Sequence, residues 1–576
     1  MIHNSLATRT EKSGFNRHLK GINMYLYNND DQQLVEQRVE QYRDQTNRFL
    51  AGTLAEDEFL ALRLMNGLYI QRQAPMLRVA IPYGLMSSVQ LRKLADISRK
   101  YDRNYAHFTT RTNIQYNWPK LEEVPDILAE LAQVQMHAIQ TSGNCIRNTT
   151  TDPYAGVHSG EVEDPRPYCE IIRQWSTLHP EFAYLPRKFK IGVTGGPEDR
   201  AASQVHDIGL HLITNDDGEV GFEVLVGGGL GRTPIIGQVI KEFLPAKHLR
   251  SYLDAILRVY NLNGRRDNKY KARIKILVKA FGIEKMAALV EEEWLNFTKE
   301  SDLLLSSTEI EKFKSYFTPP AYETSAAQNV DLSADFSKDA SFKAWYERNT
   351  VEHKIAGYRI VVISLKPLLL PPGDATDGQM DLIADLAEQY SFAEVRSTHD
   401  QNLVLSDVKV TDLYALWESL TQGNLARANI GTLTDMICCP GYEFCALANA
   451  ETLPIADQIN RKFDDLDYLY DLGEIQLNMS GCINACGHHH VADIGILGVD
   501  RKGENYYQFT LGGSSKTDAS LGKTIGKAIS ASEVANTVEK ILHVFVEHRT
   551  EDEKFADVIK RIGLEPFKEY VYATSH

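Results

Sequence analysis

Apolar residues recur at helical spacing, with mixed charge between them, through VEQRVEQYRDQTNRFLAG, residues 35–52. Residues 1–66 are therefore expected to form a helical arm on the main body. Beyond it, MLRVAIPYG reads as a strand, SSVQLRKLADISRKY as a helix and HFTTRTNIQYNWP as a return to strand. The same order comes back later as YRIVVISLKP, DGQMDLIADLAEQY and VRSTHDQNLVLSDV. Thr109 and Asn113 of the first copy match Thr398 and Asn402 of the second at one common offset, and each copy continues into an amphipathic helix. An internal duplication explains the pattern. Between the copies, Pro319 to Asp339 is rich in Ser, Ala and Asp and poor in apolar periodicity, so the main linker is expected there.

The two copies lead into different loops. The first runs into TSGNCIRNTTTDP, which supplies Arg147; the second runs into TDMICCPGYEFC, which supplies Cys439 and Cys445. If the halves face one another about a pseudo-twofold, one brings cations and the other thiolates to a shared cleft, a common place for a ligand.

Composition narrows the classes. A chain of 576 residues is long for one core, so two or three lobes are expected. A hydrophobic fraction of 43% and a charged fraction of 24% suit a soluble globular protein. No stretch approaches the ~20 apolar residues of a membrane span, and the first residues lack the apolar core of a secretory signal; a cytoplasmic protein without a membrane partner is expected. A net charge of −15 argues against nucleic acid as the main partner.

The seven cysteines suit metal ligation in a reducing compartment better than a disulfide framework. Cys439 and Cys445 are spaced C-x5-C, Cys482 and Cys486 C-x3-C, each beside Gly or Pro that lets a loop approach a bulky group. Four thiolates satisfy a [4Fe-4S] cluster. They also satisfy structural zinc, which usually draws on tighter pairs, and spacing alone leaves both open along with unliganded core cysteines. Cys438, Cys145 and Cys169 read as small buried hydrophobes.

These motifs, CPGYEFC at 439–445 and GCINACG at 481–487, make the chain resemble the siroheme-containing sulfite and nitrite reductases. The resemblance extends through LRVAIP near 77, TTRTN near 109, IRN near 146, YLPRKFK at 184–190 and LVGGGLG at 225–231, in order over nearly the whole chain. It implies an α+β fold of duplicated ferredoxin-like modules related by a pseudo-twofold, plus two siroheme- and cluster-binding α/β domains. The expected divisions are the arm at 1–66, a first module at 67–145, a first siroheme and substrate domain at 146–318, a linker at 319–351, a second module at 352–428 and the cluster domain at 429–576. It further implies a [4Fe-4S] cluster on Cys439, Cys445, Cys482 and Cys486, coupled to siroheme through Cys486.

By the same resemblance Arg78, Arg147, Lys188 and Lys190 match the substrate-binding set. Their chemistry suits a small oxyanion that must shed water, since Arg offers paired donors and Lys a compact charge that can relay protons. Lys188 and Lys190 share a face if PRKFK is extended. Arg111 is expected to serve the siroheme carboxylates, beside Asn113, and Gly227, Gly228 and Gly229 to pack backbone on that cofactor; their spacing is not that of a dinucleotide loop. His488, His489 and His490 read as a polar loop. Some members place a tyrosine and a cysteine, here Tyr69 and Cys145, where they become covalently joined; ordinary packing is the expectation for this pair.

The implied reaction is assimilatory reduction of sulfite to sulfide. Nitrite reduction to ammonia is the alternative, favoured by GYEFC, by the GNCIRN context and by His107 where sulfite reducers often carry Arg, whereas Pro440 favours sulfite. A nonenzymatic zinc- or cluster-binding scaffold is the alternative of another class. No flavin or NADPH module is recognisable, so electrons come from a ferredoxin or a separate NADPH-flavoprotein. The basic run Arg265 to Lys279 reads as a helix, partly at the surface, that docks an acidic donor; a merely solvated face and contact with siroheme carboxylates are the other readings.

Overall fold

The structure is a computed structural model and describes residues 23–299, 301–323 and 330–573. Helix Asn29–Leu50 begins where the Asn28 side chain accepts the Asp31 N–H at 2.8 Å, with two acids in its first turn, and it buries Val35, Val39 and Tyr42. Helix Glu56–Met65 comes next, so the described part of the arm is helical, residues 1–22 lying outside the described residues.

The two repeats build two five-stranded antiparallel sheets that exchange strands. The first sheet runs Leu68–Ile70, Pro75–Val79, Ile114–Tyr116, Tyr105–Phe108 and then Asp374–Thr376, taken from the second repeat. The second runs Thr350–Glu352, Tyr358–Ile363, Leu403–Lys409, Glu394–Ser397 and then Leu85–Ser87, taken from the first. Each lent strand ends on a helix cap. Ser87 caps Ser88–Tyr101 and Thr376 caps Asp377–Tyr390, each in a capping box with a Gln three residues on. Both helices pack into one apolar core common to the two sheets.

Two further sheets share one mixed topology. The first orders Thr150–Thr151, Ile191–Thr194, Ile208–Thr214, Val220–Val226 and Gln238–Pro245. The second orders Ile437–Cys438, Leu477–Ser480, Ile494–Arg501, Glu504–Leu511 and Lys523–Thr524. In both, the first two pairings are parallel and the next two antiparallel. Each packs its own helices over a separate core.

Two sequence expectations are corrected. The segment 319–351 is not all linker: it holds helices Ser333–Lys338 and Ala340–Asn349, because Phe342 and Trp345 are fully buried in the shared core; residues 324–329 lie outside the described residues. The basic run is helical only over Ile274–Phe281, and residues 265–273 lead into it as a loop. Among the described residues no helix is long and apolar enough to cross a membrane.

Candidate active site and metal centre

Strand Pro75–Val79 presents Arg78, which reaches Gln115 Oε1 at 3.2 Å and the Thr141 carbonyl at 3.4 Å. Arg147 is fixed more tightly. Its guanidinium donates to the Thr141 carbonyl at 2.9 Å and twice to the Gly143 carbonyl, at 2.8 and 3.1 Å. Between them stands Tyr69: burial opposes its ionisation, yet Arg147, Arg78 and Lys188 together carry its pKa below the usual phenol value. Phe189 is buried in the core, which leaves Lys188 and Lys190 on one face, as the alternation of PRKFK requires.

The electrostatics of this group are one-sided. Burial, reinforced by Arg147 and Arg273 and partly offset by Cys486, brings Lys188 down to about 8. Burial, with Lys188, Arg111 and Arg273 adding, pushes Lys190 well below the usual amine. Arg111 donates to Thr150 Oγ1 at 2.7 Å and the Asn148 carbonyl at 2.6 Å, and burial again lowers its pKa. The carboxylate facing them, Asp207, is already taken by Arg273 at 2.7 Å and by the Lys190 backbone N–H at 2.8 Å. Among the described residues no carboxylate forms an ion pair with Arg78, Arg111, Arg147, Lys188 or Lys190. A buried surplus of positive charge is costly unless anions fill it, so the cleft is built for anionic ligands.

Arg273 and Lys275, from the run expected to lie partly at the surface, belong to this group. Lys275 donates to the carbonyls of Gly229, Leu230 and Thr233 at 3.1, 2.7 and 2.6 Å, and burial brings it down to about 7. Close approach requires Gly228, where a Cβ would lie 2.3 Å from the Gln204 carbonyl, whereas at Gly229 the nearest atom, 2.7 Å away, is the movable end of Arg273. Gly227 has φ +83° and sits against Val278. By contrast Arg265 pairs with exposed Asp267, and Tyr270 is 69% exposed. The run therefore crosses from solvent into the site within a few residues. Asn113 is spent on the fold, its oxygen accepting from Asn148 at 2.8 Å and from the Ile81 N–H at 3.4 Å.

The thiols come from two loops that succeed adjacent parallel strands, Ile437–Cys438 and Leu477–Ser480. Gly441 and Gly481 let those loops touch: a Cβ on Gly481 would meet the Gly441 Cα at 3.0 Å. The Gly481 N–H points at Cys439 Sγ from 3.1 Å. Burial raises Cys439, Cys445 and Cys482, and Cys486 raises each further, although on Cys439 the adjacent Cys438 adds more. Among the described residues no three Cys, His, Asp or Glu groups are placed as a single metal ion requires. Cys486, exposed at the rim, also acts on Lys188 and Lys190, so the thiol loops face the cations.

Cys438 turns away into the core of its domain, and Cys169 is buried in the other. Cys145 lines a cavity of about 320 Å³ with Leu64, Gln140, Phe182 and Arg187, its sulfur 3.3 Å from the Ser142 carbonyl. His488 is buried beside Lys190, His399 and Arg111, and His490 Nε2 lies 3.1 Å from the Gly231 carbonyl, to which it donates.

Residues 142–296 and 431–575 match the family described as nitrite and sulphite reductase 4Fe-4S domain, and residues 69–134 and 367–423 the nitrite/sulfite reductase ferredoxin-like half domain. The half domains fall on the strand-exchanging repeats, the second match beginning after strands Thr350–Glu352 and Tyr358–Ile363, and the 4Fe-4S segments contain the two mixed sheets. The chain is 29% identical over 492 residues to sulfite reductase (ferredoxin) 2 of Mycolicibacterium paratuberculosis, covering 84% of this chain and 81% of that protein. It is 28% identical to the assimilatory ferredoxin-dependent nitrite reductase of Haloferax mediterranei, covering 86% and 83%. The solved structure of the Mycobacterium tuberculosis NirA protein superposes with a TM-score of 0.74 at 25% identity, over 90% of this chain and 92% of that one. With two cysteine loops on adjacent strands, Cys486 acting on Lys188 and Lys190, and cations that have no carboxylate partner among the described residues, as a [4Fe-4S] cluster and the carboxylate-rich siroheme would need, the chain belongs to the nitrite and sulphite reductases.

Proposed function

We propose that this reductase makes sulfide from sulfite, in assimilation and in the cytoplasm, with a ferredoxin as electron donor. The observation that carries the reading is the set Arg78, Arg147, Lys188 and Lys190, without carboxylate partners among the described residues, its two lysines facing Cys486. A doubly charged sulfite gains more from such a set than a singly charged anion does. The ferredoxin is supported by the names of relatives on both the sulfite and the nitrite side; a separate NADPH-flavoprotein is the comparator.

In this reading Cys439, Cys445, Cys482 and Cys486 would hold the cluster, and Cys486 would also serve the siroheme. Arg111, Arg273 and Lys275 neutralise siroheme carboxylates, with the backbone of Gly227 to Gly229 close by. The two cofactors, when bound, deliver the electrons of a six-electron reduction. The chain's own part is to strip water from the anion, hold its oxygens and supply protons. Arg147 is preorganised for the first two, since three hydrogen bonds to backbone carbonyls fix its fork before substrate arrives. Lys188, at about 8, is matched to giving up a proton near neutral pH.

Nitrite is the second reading, favoured by the nitrite reductase relative that covers as much of the chain and by His107. Steady-state kcat/KM for both anions with reduced ferredoxin, with the product identified, decides. Sulfide with the larger value for sulfite is expected; preferential formation of ammonia would overturn the sulfite assignment.

A further inference from the structure

Strand Ile437–Cys438 leads directly into Cys439, yet it is two residues long and lies at the edge of its sheet. On its inner side it pairs with Asn478 and Met479. Its outer side is closed by one side chain. Gln401 Oε1 accepts the Cys438 N–H at 2.9 Å, and Gln401 Nε2 donates to the Cys438 carbonyl at 3.1 Å. A single amide thus does what a neighbouring strand would do for an edge.

The orientation of that amide is forced. Nε2 also faces the Phe108 carbonyl at 3.0 Å, so reversing the amide would set its oxygen against two carbonyl oxygens. His107 Nε2 lies 3.0 Å from the same nitrogen, whose two hydrogens are shared among three neighbours, and His107 Nδ1 lies 2.7 Å from Asp374. Asp374 sits on the strand that the second repeat lends to the first. Gln401 is 1% exposed and held at φ +61° in the loop containing Thr398 and Asn402. Gly373, at φ +85°, makes room: a Cβ there would be 2.9 Å from Gln401 Nε2. The matching loop of the first repeat also grips a thiol loop, Thr110 Oγ1 donating to the Cys486 carbonyl at 2.9 Å.

We propose that the twin loops Thr109–Asn113 and Thr398–Asn402 form a two-sided clamp on the cluster ligands, with Gln401 the positioning residue for Cys439 and Thr110 for Cys486. The contrast between the halves supports it. The position equivalent to Gln401 in the first repeat is Thr112, a shorter side chain, and there Arg111 instead bonds the Thr150 hydroxyl on the edge strand and the Asn148 carbonyl just before it. The anion half uses a cation and the cluster half a neutral amide, which secures the backbone without adding charge beside the thiolates.

The inference rests on the four cysteines holding the cluster. Its test is the rate at which an iron chelator bleaches the visible absorption of the holoenzyme, together with the EPR spectrum of the reduced cluster. Gln401→Leu leaves two buried backbone groups without partners and should bleach at least ~10-fold faster than wild type, with an altered EPR spectrum. Gln401→Glu keeps the acceptor for the Cys438 N–H but sets an oxygen against the Cys438 and Phe108 carbonyls, so it should bleach at least as fast as Gln401→Leu. Thr110→Val should accelerate bleaching while changing the stability of the whole chain little, and with Gln401→Glu it carries the test if Gln401→Leu does not fold. Wild-type bleaching rates and EPR spectra in all the folded variants would overturn the clamp. A wild-type chain that takes up no cluster would instead contradict the cysteine assignment beneath it.

Discussion

Asp207 is fully buried, and its two oxygens hold Arg273 on one side and the Lys190 backbone on the other. Arg273→Gln would leave that carboxylate without its cation, a loss of ~3–5 kcal/mol for breaking a buried pair. Denaturant unfolding should register the cost and absorption should show reduced siroheme content; wild-type values for both would place Arg273 outside the site. Lys188 gives a pH signature. Its ammonium is present below about 8 and lost above, so anion affinity should weaken as pH rises through about 8. KM against pH measures this, and Lys188→Gln should flatten that limb; an unchanged limb in the variant would assign it to another group. The thiol loops stand out in the sequence through the motifs CPGYEFC and GCINACG, although spacing alone leaves zinc and unliganded core cysteines open beside a cluster. Arg273 and Lys275 do not stand out, because KYKARIK is cationic throughout and charge carries no direction. Only the start of the helix at Ile274 decides which of those cations turn inward.

At the scale of elements, the order strand, helix, strand was readable in both repeats, and the matched pairs Thr109 with Thr398 and Asn113 with Asn402 do lie in equivalent loops. The exchange of Leu85–Ser87 and Asp374–Thr376 was not readable, since alternation tells which face of a strand is buried and not which neighbour it pairs with. The helices over 333–338 and 340–349 escaped for a related reason: the aromatic anchors of FKAWY are visible only against the core they fill. The exchanged strands make their helix caps consequential. Thr376→Ala removes the bond from the Gln379 N–H to its hydroxyl at 3.2 Å and should cost ~1 kcal/mol in a denaturant midpoint, and Ser87→Ala a similar amount. Because the two capped helices pack against each other, the double variant should depart from additivity; strict additivity would argue that the two ends are independent.

For the whole molecule, strand exchange means that neither half closes its own sheets. Residues 1–318 expressed alone would present Leu85–Ser87 without its partner strand and lack Asp374–Thr376, so the fragment should be poorly soluble, and co-expression with residues 319–576 should recover a soluble complex. A monomeric, cooperatively folding fragment would contradict this. The duplication also explains the site: equivalent loops of the two halves carry Arg147 and Cys439, and folding brings their charges onto one cleft. Whether that cleft reduces an oxyanion through its own cations is tested most directly by steady-state turnover of sulfite and nitrite in Arg147→Gln and Lys188→Gln, with siroheme and cluster content verified by absorption. Either change should lower kcat/KM by ~10²-fold or more at unchanged cofactor content, the scale of losing one preorganised donor, and should hurt sulfite more than nitrite. Arg147→Lys should rescue only part, because a point charge cannot replace the fork that Thr141 and Gly143 hold in place. Wild-type turnover of both anions in both Gln variants, with full cofactor content, would mean that the pocket lies elsewhere.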